Sequence, residues 1–123
     1  MIILKVTIYS IISLAYMGLI FHLSSIPTET MLPSFSAFDK LSHVIAYGIL
    51  ASLIYLTLKE MNVRGRYLLG LAFGISFLYG VSNEINQHFL SWRDADGLDV
   101  VANGVGAFSF LTVLRYRARY KNR

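Results

Sequence analysis

The chain has 123 residues, of which 55% are hydrophobic and only 15% are charged, and its mean hydropathy is +0.56. A soluble domain of this length cannot bury that much apolar surface, so the composition favours a membrane protein. The net charge is +4, and the chain contains no cysteine. Disulfides, thiolate catalysis and metal sites with cysteine ligands are therefore excluded.

Four apolar runs predict four membrane-spanning helices. A helix needs about 20 apolar residues to cross a hydrocarbon core about 30 Å thick, and each run approaches this length. Backbone groups in lipid must be hydrogen-bonded within their own segment, which favours helices over strands. The predicted fold class is an all-α membrane protein, a single-domain four-helix bundle. Its helices are predicted at about residues 2–23, 40–58, 66–90 and 97–115.

The first apolar run is expected to remain in the protein as an anchor. It contains a basic residue near its start, Lys5, as a signal peptide does, but no convincing cleavage site follows it.

The distribution of basic residues indicates the orientation. With the N-terminus in the cytoplasm, nine of the eleven Lys and Arg residues lie on the inner side, and only Lys40 and Arg93 lie on the outer side. This bias predicts that both termini are cytoplasmic and that the polar loops at 24–39 and 91–96 face outward. The nine inner residues are Lys5, Lys59, Arg64, Arg66, Arg115, Arg117, Arg119, Lys121 and Arg123.

The basic C-terminal tail could contact nucleic acid. Because it directly follows a membrane helix, attraction to anionic lipid of the inner leaflet is the better interpretation. We therefore expect no nucleic-acid partner.

Polar side chains recur on one face of the second predicted helix. Asp39 or Lys40, His43 and Tyr47 are three to four residues apart, so they share a face. Asp39 could be an N-terminal cap, because it comes just before the apolar run. A cap does not account for His43 and Tyr47, which continue the same face inward.

The third and fourth predicted helices carry similar polar faces. The helix 3 residues with this spacing are Glu84, Gln87 and His88, beside Asn83 and Asn86. The helix 4 residues are Asp96, Asp99 and Asn103. At roughly 1.5 Å per residue, Glu84 lies about 27 Å from Arg66, and Asp99 about 24 Å from Arg115. The polar faces of three helices should therefore meet near the outer edge of the membrane, where the connecting loop adds Arg93 and Asp94.

Three motifs appear in order along the chain: Asp39-Lys40-x-x-His43-x-x-x-Tyr47, Tyr79-Gly80-x-x-x-Glu84-x-x-Gln87 and Arg93-x-x-Asp96-x-x-Asp99-x-x-Ala102-Asn103-x-x-Gly106. Together they resemble the VanZ-like family of small bacterial membrane proteins, over roughly residues 23–106. The resemblance implies a multi-pass protein of the bacterial plasma membrane. It also implies a link to resistance against teicoplanin-type glycopeptides. No biochemical activity is established for the family.

The resemblance implies that ten residues of this chain are functional. These candidate ligand-binding residues are Asp39, Lys40, His43, Tyr47, Glu84, Gln87, Arg93, Asp96, Asp99 and Asn103.

Three interpretations of these residues remain open. The first is an outer-leaflet site that binds or remodels an anionic headgroup, of an envelope lipid or a lipid-linked cell-wall precursor, through Arg93, Lys40 and His43. The second is an intramembrane hydrolase or transferase acting on a lipid-linked substrate, with Glu84 or Asp99 as general base and His43 as acid. The third is a structural polar network that holds the helices together.

No metal or cofactor is assigned from the sequence. A zinc site built from His43, Glu84 and His88 is conceivable, but it lacks a close-spaced ligand motif. Glu84 is instead expected to pair with Arg93, Lys40 or His43, because an unpaired carboxylate within the membrane is costly. The oligomeric state is left open.

Cysteine labelling tests the predicted orientation directly, because the chain has no native cysteine. On intact cells, a single cysteine in place of Ser34 or Ser91 should react with a membrane-impermeant thiol reagent. A cysteine in place of Asn122 should react only after the cells are opened. The reverse pattern would show that the polar residues of the three helices face the cytoplasm.

Overall fold

A computed structural model describes residues 1–27, 36–93 and 95–123. The described residues form four α-helices and no strand: α1 (Ile2–Ser25), α2 (Ser36–Glu60), α3 (Gly65–His88) and α4 (Gly97–Lys121). All four are long and apolar enough to cross a membrane. The prediction of an all-helical chain with four candidate spanning helices is confirmed. Asp94 and residues 28–35 of the first polar loop, which include Ser34, lie outside the described residues.

The helices differ from the prediction at their ends. α4 continues through the basic tail to Lys121, because Arg, Lys and Ala favour helix whether or not the surroundings are apolar. α2 begins at Ser36, before the apolar run. Asp39 therefore lies inside the first turn, and its interpretation as an N-terminal cap is wrong. α3 ends at His88, where the backbone N–H of Phe89 bonds back to the carbonyl of Asn86 and that of Leu90 to the carbonyl of Gln87.

The direction of each helix follows from the contacts between them. Lys40 and His43, near the start of α2, contact Asp99 and Asn103, near the start of α4. These two helices therefore run parallel to one another. The end of α3 bonds to the end of α1 through Gln87 and to the start of α4 through Glu84, so α1 and α3 run in the opposite direction to α2 and α4.

The bundle consequently has two unlike ends. We call the end where α1 and α3 finish and α2 and α4 begin the cluster end, since the polar motif residues gather there. The opposite end is called the basic end, and its basic residues are Lys5, Lys59, Arg64, Arg66, Arg115, Arg117, Arg119, Lys121 and Arg123.

Small residues allow α2 and α4 to pack closely. A side chain at Gly106 would overlap the backbone carbonyl of Val44, and one at Gly48 would overlap the ring of Phe110. In lipid, where apolar surface gains little by leaving the solvent, such close packing is a main source of helix association. Leu50 and Ala107, at the centre of the bundle, are fully buried. This contact fixes the register in which the polar faces of α2 and α4 meet.

Gly106→Ala should destabilise the bundle, because its methyl group has no space between α4 and the backbone of α2. Overpacking of this kind costs about 1–3 kcal/mol. The melting temperature of the purified protein in detergent measures it. Gly70→Ala is the matched control, because a side chain at Gly70 meets nothing within 4 Å. Equal melting temperatures for the two variants would contradict the close contact between Gly106 and the backbone of α2.

Candidate functional site

Lys40 links the start of α2 to the start of α4. Its ammonium donates to Asp96 Oδ2 at 2.6 Å and to Asp99 Oδ1, and it lies 3.7 Å from Asp39 Oδ2. The Asp99 side chain is only 6% exposed, so its charge is the most deeply buried of the three acids. One lysine thus compensates carboxylates from two helices.

Asp96 has a second role as the N-cap of α4. Its Oδ1 accepts a hydrogen bond from the backbone N–H of Leu98 at 2.9 Å, which satisfies a donor that the helix itself leaves free. The hydrogen bond from Lys40 lowers the pKa of Asp96 from its usual value, and the Leu98 N–H lowers it further. Asp96 is therefore charged at neutral pH, which keeps Lys40 in place.

His43 lies deeper along the same face of α2, between an amide and two carboxylates. Its Nδ1 is 2.8 Å from Asn103 Oδ1. Its Nε2 is 3.5 Å from Asp99 Oδ2 and 3.9 Å from Asp39 Oδ1. Neither of the latter distances is a hydrogen bond. One side of the ring is thus fixed by α4, while the other faces two acids across a gap.

Tyr47 joins α2 to α3 beneath these residues. Its hydroxyl accepts a hydrogen bond from Asn83 Nδ2 at 2.8 Å, and its ring lies parallel to that of His43. Gly80 makes room, since a side chain there would lie 2.8 Å from Asn103 Nδ2. Asn83 was not among the predicted site residues. Its position three residues after Gly80 and four before Gln87 was the signal that could have identified it.

Glu84 is buried, but it forms no ion pair with any residue in the described ranges. Its Oε2 instead accepts the backbone N–H of Asp96 at 3.2 Å. The predicted pairing of Glu84 with Arg93, Lys40 or His43 is therefore wrong. The reason is competition, because Asp96 and Asp99 take Lys40, and Asn103 takes the His43 Nδ1.

Two predicted site residues lie apart from the Lys40 contacts. Gln87 donates to the backbone carbonyl of Ser24 in α1 at 3.0 Å, so it ties α3 to α1. Arg93 is partly buried and close enough to Glu84 for their charges to interact. Within the described part of the chain, its guanidinium has no ion-pair partner. Asp94, between Arg93 and the start of α4, lies outside the described residues.

The possible metal ligands are not the ones considered from sequence. His88 is exposed and packs its ring edge against Phe89, so it does not join His43 and Glu84. The structure instead brings Asp39, His43 and Asp99 together, with one ligand atom from each lying within 4.8 Å of the others.

Comparison with models of protein families, with characterised proteins and with solved structures finds no match to this chain. The geometry of the cluster and the three sequence motifs are therefore the basis for inferring its function.

Removing Lys40 should destabilise the bundle by leaving Asp99 charged and buried. Removing one partner of a buried ion pair costs about 3–5 kcal/mol, so Lys40→Gln should lower the melting temperature in detergent. Adding Asp99→Asn should recover much of this loss, because position 99 then carries no charge that needs a partner. Lys59→Gln, an exposed lysine at the basic end, is the control. If the double variant melts lower than Lys40→Gln alone, the ion pair is not the source of the effect.

Proposed function

We propose that the protein binds the headgroup of an envelope lipid or of a lipid-linked cell-wall precursor at its cluster end, in the outer leaflet of a bacterial plasma membrane. The observation that carries this proposal is the convergence of charged side chains from α2 and α4, with Glu84 of α3, at one end of four apolar helices. Charged groups in membrane segments are costly and therefore mark functional sites by default. A bundle that served only as an anchor would not need them.

The distribution of positive charge supports the outward position of the cluster. The basic end carries most of the Lys and Arg residues, and such ends lie preferentially in the cytoplasm. Both termini are at the basic end, since α1 starts there and α4 finishes there. We accordingly propose that both termini are cytoplasmic.

Arg93 is the residue that we propose receives the anionic part of the headgroup. The ammonium of Lys40 already contacts two carboxylates, so Lys40 stabilises the cluster and is not free to bind a ligand. Arg93 has no ion-pair partner in the described part of the chain. Its guanidinium can bind a phosphate or carboxylate with two parallel hydrogen bonds.

The acids of the cluster indicate a second property of the ligand. Asp39 and Asp96 have side chains that are 49% and 46% exposed, so both can reach a bound molecule. Carboxylates repel a purely anionic headgroup but attract an amine. A headgroup that carries an amine beside its anionic group therefore fits the cluster best.

The resemblance to the VanZ-like family extends this proposal to a phenotype. A protein that holds or remodels a cell-wall precursor at the outer surface would change the sensitivity of the cell to teicoplanin-type glycopeptides, which act at that surface.

An intramembrane hydrolase or transferase is the second candidate. It is favoured by the proximity of His43 Nε2 to Asp99 Oδ2, at 3.5 Å, because such a pair can exchange a proton with a substrate. This candidate requires turnover of a lipid-linked substrate, whereas the binding proposal does not.

Arg93→Gln and Glu84→Gln test the binding proposal. Arg93 has no ion pair to lose among the described residues, and a glutamine oxygen at position 84 can still accept the Asp96 N–H. The free energy of unfolding of both variants should therefore stay within about 1 kcal/mol of the parent protein. Cells expressing Arg93→Gln should nevertheless lose any protection against teicoplanin that the parent confers. Sensitivity to teicoplanin and vancomycin is measured together with protein level in the membrane.

Arg64→Gln is the matched control, since it removes the same charge from an exposed position at the basic end. It should keep both stability and protection. If Arg93→Gln and Glu84→Gln are stable and fully protective, the site assignment is wrong. If both variants unfold, the cluster is a structural network rather than a binding site.

A further inference from the structure

Asp39, His43 and Asp99 have the composition and spacing of a transition-metal site. The Nε2 of His43 lies 3.5 Å from Asp99 Oδ2 and 3.9 Å from Asp39 Oδ1. Zinc bonds of about 2.0–2.2 Å place tetrahedral ligands about 3.3–3.5 Å apart. All three ligand atoms lie within 4.8 Å of one another, so an ion between them would draw the two carboxylates inward.

Lys40 does not use the atoms that face this gap. It contacts Asp39 through Oδ2 and Asp99 through Oδ1, whereas the other oxygen of each carboxylate faces His43. Each acid therefore presents one oxygen to the ammonium and one to the imidazole. A metal ion can bind the second set of oxygens while Lys40 keeps its ion pairs.

Asn103 holds His43 in the form that binds metals. Because the amide Oδ1 of Asn103 can only accept, Nδ1 of His43 donates to it. A neutral imidazole protonated at Nδ1 has its free electron pair on Nε2, which faces the two acids. Metal-binding histidines nearly always donate their other ring N–H to an oxygen in this manner. Asn103 is 1% exposed and so has a fixed position.

The charge balance of the cluster also favours a cation. Its described residues include four carboxylates, those of Asp39, Glu84, Asp96 and Asp99, against the two basic side chains of Lys40 and Arg93. Excess negative charge at the edge of a low-dielectric membrane raises the free energy of the folded state. A divalent ion offsets it.

We propose that Asp39, His43 and Asp99 bind a divalent transition-metal ion of the zinc type, with Asn103 as a positioning residue. The imidazole favours zinc over magnesium, which prefers oxygen ligands. Three protein ligands leave one coordination position free, as in catalytic zinc sites rather than structural ones. That position can accept an oxygen of a phosphate or carboxylate group. The metal site does not depend on the headgroup proposal.

Metal analysis of the purified protein tests this inference. The full chain is purified in detergent through a tag that contains no histidine, treated with a chelator, and dialysed against Zn²⁺, Mn²⁺ or Mg²⁺. Elemental analysis should find one zinc ion per chain, and zinc should raise the melting temperature. Asp39→Asn and His43→Gln should weaken zinc binding at least about tenfold, as changes around metal sites commonly do.

Asp39→Asn should disturb folding less than His43→Gln, because the Asp39 side chain is half exposed and asparagine has almost the same size. His22→Gln and His88→Gln are the matched controls, since both histidines are exposed and outside the trio, and they should bind zinc as the parent does. Absence of stoichiometric zinc from the folded parent overturns the inference. Unchanged zinc binding in Asp39→Asn and His43→Gln also overturns it.

The two proposals fail separately. A protein that shows the Arg93-dependent phenotype but binds no zinc overturns the metal site alone. A protein that binds zinc through Asp39 and His43, with an Arg93→Gln variant that is stable and fully protective, supports the metal site and overturns the headgroup proposal.

Discussion

The buried carboxylate of Asp99 is the constraint on which the arrangement of this bundle depends. A charge at that depth must be compensated, and the described residue that compensates it is Lys40, on a different helix. Both residues lie near the start of their helices, so α2 and α4 must begin at the same end and run parallel. Parallel neighbours require a connection that crosses the membrane between them, and α3 provides it.

Once α2 and α4 are joined in this way, most of the remaining polar groups find partners, although the buried Asn103 Nδ2 and Gln87 Oε1 have none among the described residues. Asn103 is brought to His43, and the backbone N–H before α4 is brought to Glu84. Arg93 follows α3 with no ion-pair partner in the described ranges. The cluster therefore separates into groups that satisfy one another and groups that face outward. Our proposed ligand contacts are Arg93 and the half-exposed side chains of Asp39 and Asp96.

The sequence predicted which residues would meet, but not how they would pair. Helical spacing determines the face and the depth of a side chain, and this brought Lys40, Asp99 and Asn103 together correctly. It does not determine how far a helix is rotated against its neighbours. Gln87 consequently turns toward α1, and Glu84 accepts a backbone N–H rather than pairing with a cation. The VanZ-like resemblance and the orientation in the membrane stay predictions.

The attachment of α1 has a consequence for how this protein can change during evolution. Tyr79, Gln87 and Trp92 hold α1 through the backbone carbonyls of Met17, Ser24 and Ser25. Every amino acid has such a carbonyl, so these contacts survive most replacements in α1, provided that the new residue is apolar and keeps the helix. Most of the first helix can therefore change in sequence, apart from Ser13 and Tyr16, whose hydroxyls bond to α2. The cluster residues, which come from α2, α3 and the start of α4, are more restricted in what can replace them.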